Sequence, residues 1–347
     1  MRRLLGLGRR RQQQPPPLPL FPPPAKRASS SSASVALLRR ILPANRLLRL
    51  LLLLLAALSL LPPAFFHFRL RRFHRMRERR CGWIASPPMV CAHGGDSTNA
   101  FPNSMDAFRL ALDARVDCVE VDMSRSSDGA LFVLHDRFDT GRDLQRMSGN
   151  STAKVGYWSS DEIKALSTRF QLSKTVLNQE IPKAQDVLAL ISQSVRQVIL
   201  DVKVGPPSFE KHLAEEVISI IGRTQCKNCL VWAKSDNVGR DVIKLSKDIM
   251  VGYIVMVDKS TGRTTELVRI AGSKVAGVYH RLIHEKLMKV MHRNDKKVYA
   301  WTVDDAESMK RMLYEHVGAI VTSNPSLLQQ LMQETRTECM EDGFALP

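Results

Sequence analysis

The chain has 347 residues, enough for one large domain with an appendage. Its formal charge of +17 suggests a nucleic-acid binder until the charge is placed. Eighteen of the 51 Lys and Arg lie in residues 1–80 against a single acid, Glu78, and the other 33 are matched by 33 Asp and Glu; a nucleic-acid surface would sit on the folded part, so that class is excluded.

Residues 1–46 are a basic leader rich in Pro and Ser, too poor in apolar surface to offset chain entropy, and are expected to be disordered. Leu47–Phe68, "LLRLLLLLLAALSLLPPAFFHF", reads as one transmembrane helix. Its apolar centre, Leu50 to Phe66, is at the short end of the about 17–25 residues that cross a bilayer, and extension to Phe68 lets Arg49 and Arg69 snorkel at the two ends. A cleaved signal peptide is disfavoured because a long segment precedes the run. A transit peptide has some support, since no acid occurs before Glu78. The favoured reading is a single-pass anchor in the secretory pathway or plasma membrane, with a plastid as the alternative. Orientation stays open. Seven arginines from Arg69 to Arg80 put the C-terminal side in the cytosol. Asn150-Ser151-Thr152, a glycosylation acceptor, argues for the lumen.

After the anchor come a basic linker, 69–86, a folded domain, 87–335, and a C-terminal tail, 336–347. The six cysteines are scattered. Cys91 and Cys118 fall in apolar runs and are expected to be core thiols. Cys226-Lys-Asn-Cys229 has no second pair at zinc spacing and no special role is expected of it; the alternative is a disulfide in an oxidising compartment.

From Met89 onward, short apolar runs alternate with amphipathic stretches, which predicts βα units and a parallel sheet. The predicted strands are Met89–His93, Cys118–Asp122, Val198–Lys203, Cys229–Ala233, Met250–Val255, Val275–Tyr279, Val298–Val303 and Gly318–Thr322. Asn103 is placed to cap the first helix, whose Met105, Phe108 and Leu112 share a face. Eight such strands, each with a return helix, predict an α/β fold of the closed (β/α)8 TIM-barrel type. Leu131–His135 follows its predecessor too closely for a parallel crossover, and Asp128-Gly129 marks a turn, so it is read as an inserted antiparallel β-hairpin. A turn centred between Ser127 and Asp128 sets His135 opposite Glu120.

Active sites of these barrels lie at the strand C-termini. The polar residues there are His93, Glu120, Asp122, Asp201, Lys203 and His280, and residues two apart share a face. Three carboxylates without a thiol suit a hard divalent cation, Ca²⁺ or Mg²⁺. Without one they would repel, and at least one would stay protonated. Two histidines suit acid–base work near neutral pH, and a lysine attracts an anion. The set describes cleavage of a phosphoester.

His93-Gly94-Gly95, Pro102-Asn103-Ser104, Glu120-Val121-Asp122, Ser126-Ser127-Asp128-Gly129 and His135-Asp136 occur in that order. Asp201-Val202-Lys203, Trp301-Thr302-Val303-Asp304 and Thr322-Ser323-Asn324-Pro325 follow. From Met89 to Leu331 this series resembles the glycerophosphodiester phosphodiesterases, and it looks like a plant-type, membrane-anchored member. The resemblance implies a barrel of the PI-phospholipase-C-like phosphodiesterase type and hydrolysis of a glycerophosphodiester to sn-glycerol 3-phosphate and an alcohol. It implies His93 and His135 as the acid–base pair and Glu120, Asp122 and Asp201 as ligands of Ca²⁺ or Mg²⁺. Lys203 would contact phosphate, and Trp301 would line the pocket or else pack in the core. The implied partners are a small-molecule substrate and, through the N-terminal helix, a membrane. Three positions depart from the family: Gly94 stands for its arginine, Pro102 for its glutamate, and Asp201 for a longer Glu. Losing that arginine removes a bidentate phosphate contact. Two alternatives follow, a lysophospholipase D acting on lysoglycerophospholipids and a catalytically weak or inactive binding protein.

Overall fold

The computed structural model describes residues 45–135, 142–173, 180–258 and 260–344; residues 1–44 of the leader and Asp136 lie outside them. The chain divides into two units, Met1–Leu70 and Arg71–Pro347. The first helix, α1 (Arg46–Cys81), is long and apolar enough to cross a membrane, and none of its most apolar stretch is buried by protein. It holds Pro62 and Pro63, which cannot donate the helix hydrogen bond. The anchor–linker boundary at 68/69 therefore falls within a helix.

Among the described residues the second unit is built on nine strands: β1 (Met89–His93), β2 (Cys118–Arg125), β3 (Leu131–Val133), β4 (Gln197–Val202), β5 (Cys229–Ala233), β6 (Met250–Val255), β7 (Val275–Tyr279), β8 (Lys297–Trp301) and β9 (Ala319–Thr322). Eight of them run parallel in the order β1-β9-β8-β7-β6-β5-β4-β2, and β1 pairs with β2 to close the barrel. β3 lies antiparallel on β2, outside the ring.

Alternate residues of each strand face two different cores. The inner one holds Cys91, Cys118, Ile199, Leu230, Trp232 and Tyr299. The other faces the helices and is the larger. Trp232 lies across the barrel against Gly277, where a β-carbon would come within 1.5 Å of the indole; no other residue type fits there. The indole thus floors the cavity above it.

The helices show why these segments fold as they do. In α2 (Met105–Asp113), Ala107, Phe108 and Ala111 are buried along one stripe. Ser235 caps α7 (Asp236–Leu245), and Asp305 caps α9 (Ala306–Tyr314). Asn324 caps α10 (Pro325–Glu341), with Pro325 in the first turn, where its missing N–H costs nothing. The remaining helices are α3 (Arg142–Ser148), α4 (Ser160–Ser173), α5 (Ala184–Ile191), α6 (Leu213–Arg223) and α8 (Glu285–Arg293). Each fully buried aliphatic side chain on these faces stabilises by about 1.5–3 kcal/mol.

Five expectations are corrected. Ser104, not Asn103, caps α2, its hydroxyl accepting the Ala107 N–H at 3.1 Å. The hairpin pairs Met123 with Val133 and Ser124 with Phe132, one residue off the expected register, so His135 does not face Glu120. A longer turn is the cause: Ser126 N–H donates to Ala130 O, and Gly129 takes a left-handed φ of 83°. Among the described residues no helix joins β6 to β7. There Arg269 stacks on Tyr253 at 4.7 Å and pairs with Asp236 at 2.9 Å, covering the barrel where a helix would lie. Cys91 and Cys118 are buried but bonded to each other, joining two strands in register. Cys226–Cys229 is a disulfide as well, the alternative considered for that pair. The third bridge joins Cys81 to Cys339 of α10.

Candidate active site

Each strand delivers its site residue by continuing the inward alternation past the inner core. Cys91 leads to His93, Cys118 to Glu120 and Asp122, and Ile199 to Asp201 and Lys203. Strand register then sets neighbours, with His93 beside Glu120 and Asp122 beside Asp201. The structure gathers His93, Glu120, Asp122, His135, Asp201, Lys203 and Trp301 around one cavity of about 500 Å³ at the C-terminal mouth of the barrel. Trp301 satisfies both readings of it, lining the cavity and packing on the inner core. His280 does not line it: its side chain is buried in a turn after β7, against Tyr279.

Glu120, Asp122 and Asp201 are buried, and one oxygen from each lies within 4.8 Å of the others. Gly94 N–H donates to Glu120 Oε2 at 3.0 Å. The Lys203 ammonium bridges Asp122 and Asp201. Asp201 Oδ1 is buried and accepts no hydrogen bond from the described residues.

The charges sort the three acids. Burial, reinforced by repulsion from Asp122 and Asp201, raises Glu120 well above the usual carboxylate range. Burial opposes ionisation of Asp122 too, but Lys203 and the two histidines outweigh it and hold that acid low. Asp201 is likewise low, with Lys203 and then Lys234 overcoming its burial. Burial works against the Lys203 ammonium, yet Asp122, Asp201 and Glu120 raise it above an ordinary lysine. His93 is lowered, since desolvation exceeds the pull of Asp122. An all-oxygen donor set, a carboxyl that resists ionisation beside its like charges and an unmatched buried oxygen all fit a hard divalent cation.

Two residues of this site were missed from sequence. Asn103, at a left-handed φ of 62°, donates from Nδ2 to Asp122 Oδ2 at 2.8 Å and so fixes that carboxylate. Lys234 follows Leu230 and Trp232 at spacing two, and its Nζ lies 3.5 Å from Asp201 Oδ2. The alternation that located Lys203 would have located it. Asp304 has a different task. It accepts Ser323 N–H at 2.7 Å and the Thr322 hydroxyl at 3.2 Å, so the last two motifs lock together at the rim.

Residues 93–327 match the Glycerophosphoryl diester phosphodiesterase family. The chain is 55% identical over 288 residues to the glycerophosphodiester phosphodiesterase GDPD4 of Arabidopsis thaliana, covering 83% of this chain and 86% of that one. A glycerophosphodiester phosphodiesterase of Caldanaerobacter subterraneus is 26% identical over 247 residues, 71% of this chain and 98% of its own. In fold, the chain is similar to an Oleispira antarctica phosphodiesterase solved with the product sn-glycerol-3-phosphate, at a TM-score of 0.58 and 18% identity, over 71% of this chain and 97% of that one. It is similar also to the glycerophosphodiester phosphodiesterase of Thermotoga maritima, at 0.53 and 19%, over 70% and 98%.

Proposed function

The chain belongs to the glycerophosphoryl diester phosphodiesterase family and is an enzyme of that class, and we propose that His93 and His135 serve as its acid–base pair. Glu120, Asp122 and Asp201 would hold a divalent cation, Ca²⁺ or Mg²⁺, and the products would be sn-glycerol 3-phosphate and an alcohol. The observation that carries this reading is the convergence of three buried carboxylates within 4.8 Å, with both histidines on the same cavity. When bound, the cation would supply Lewis-acid polarisation of the phosphoryl oxygens.

The side chains divide the remaining work. One imidazole takes a proton from the attacking water as its oxygen bonds to phosphorus, and the other gives a proton to the alcohol oxygen whose bond to phosphorus breaks. Asn103 keeps Asp122 in one orientation. Gly94 N–H steadies the Glu120 carboxyl. The Lys203 ammonium offsets the crowded negative charge, and the Trp232 floor keeps water from entering from below.

The full chain in detergent, given glycerophosphocholine and Ca²⁺ or Mg²⁺, should release glycerol phosphate, and a chelator should stop it. His93→Ala and His135→Ala should each lower turnover by about 10²–10⁴-fold at an unchanged melting temperature. No cation-dependent release across a panel of headgroups would leave only the barrel.

We further propose that α1 anchors the enzyme and that the barrel lies in an oxidising compartment. Supporting this, all six cysteines pair, as Cys81–Cys339, Cys91–Cys118 and Cys226–Cys229.

A further inference from the structure

The last turns of α1, from Arg71 to Cys81, belong to the folded unit, and their arginines divide into two sets. Arg77 lies over the Phe344 ring, Arg79 pairs with Glu315, and Arg80 pairs with Glu338 and Asp342. Arg71, Arg72 and Arg75 are exposed, and among the described residues none of them has an ion-pair or hydrogen-bond partner. At spacings of three and four they share one face of the helix. Glu78, the single acid of residues 1–80, has its carboxylate against Gly82 instead. A second face is apolar and bare: Phe73 and Met76, three residues apart, are 54% and 55% exposed. The protein itself covers neither face.

We propose that Arg71, Arg72 and Arg75 bind anionic phospholipid headgroups of the bilayer that α1 crosses, and that the same lipids cover Phe73 and Met76. This rests on the reading of α1 as the anchor and holds for either side of the membrane. Position along the chain selects the partner. Arg71 follows the apolar span, Leu47–Phe68, by three residues and Arg75 by seven, no more than about 5 and 11 Å of helix. The polar layer of a bilayer is about 5–8 Å deep on each side. Helical side chains tilt toward the N-terminus, here toward the apolar span, so a long arginine reaches back into that layer. A guanidinium donates two parallel N–H bonds to phosphate oxygens, and a negative lipid surface attracts it without direct contact as well. A basic face beside a bare apolar one is the pattern of helix that lies among headgroups.

The full chain, reconstituted in phosphatidylcholine vesicles with a trace of spin-labelled phosphatidylserine or spin-labelled phosphatidylcholine, tests this. Electron spin resonance reads how strongly each labelled lipid associates with the protein. Phosphatidylserine should associate about fivefold more strongly or better, the effect of one arginine near a charged surface. Salt at about 1 M should remove most of that preference. Arg71→Gln, Arg72→Gln and Arg75→Gln combined should lower the ratio toward one at an unchanged melting temperature. The same three positions changed to Lys should hold most of it, since the charge is kept. Equal association of the two lipids with the wild-type chain would overturn the proposal, as would a ratio unmoved by salt or by the Gln substitutions. A chain washed off the vesicles by alkaline carbonate would overturn the anchor reading, and this proposal with it.

Discussion

At the scale of single residues, Asn103 shows how backbone and chemistry are joined. A left-handed φ is costly for most residues, about 1–2 kcal/mol, and Asn is among the few that visit it routinely. The same turn lets its backbone N–H donate to Gly94 O at 2.8 Å while its amide reaches Asp122. Two substitutions divide these roles. Asn103→Gly keeps the backbone and loses the amide, so its melting temperature should stay near wild type while kcat/KM falls about ten- to a hundredfold, as for loss of a hydrogen bond to a charged group. Asn103→Ala should lose the activity and melt lower as well. Full activity in Asn103→Gly would show that Asp122 needs no such support. The carboxylates themselves were legible in sequence, because spacing of two in a strand puts side chains on one face. Asn103 was not, because Asn and Ser cap helices about equally well and Ser104 lay next to it.

At the scale of elements, the barrel could be read almost strand by strand, since short apolar runs alternate with amphipathic stretches along the chain. The hairpin was legible in kind but not in register. Asp-Gly announces a turn, yet two- and three-residue loops share that signal, and one residue of slip turns every side chain over. What selects the longer loop is Asp128, which accepts Ser126 Oγ at 2.5 Å and Ser160 N–H and Oγ at 3.1 and 3.0 Å. The Ser126 hydroxyl foremost, with Ser160, pulls its pKa down to about 2 against the opposing cost of burial. A carboxylate lowered on folding stabilises above its unfolded pKa, about 4, and that contribution disappears as the pH falls toward 2. Thermal melts of wild type and Asp128→Ala should therefore differ at pH 7 and draw together between pH 4 and pH 2. A gap that stays constant over that window would remove Asp128 from the turn's stability. The missing helix between β6 and β7 was illegible for a related reason. Arg269 closes that gap through contacts with Tyr253 and Asp236, which are remote in sequence.

At the scale of the molecule, two signals disagree about which side of the membrane the barrel occupies. Seven arginines after the apolar run favour the cytosol by the positive-inside count. Three of them, however, are engaged by the folded unit. Arg77 lies over the Phe344 ring, Arg79 pairs with Glu315, and Arg80 pairs with Glu338 and Asp342. Their presence is explained by packing, which weakens the count. The Cys81–Cys339 bridge ties the end of α1 to α10 across 258 residues and needs an oxidising environment to persist. Asn150 is exposed, and its side-chain oxygen accepts the Thr152 N–H at 3.0 Å and hydroxyl at 2.8 Å, leaving the acceptor tripeptide on an open turn. Produced in cells with a secretory pathway, the protein should carry a glycan removed by a glycosidase and absent from Asn150→Gln. Its six cysteines should resist alkylation until reduced. Cys339→Ser should lower stability by about 2–4 kcal/mol, the usual effect of losing a native bridge. Reactive thiols together with an unmodified Asn150 would put the barrel in the cytosol, where the arginine count had it.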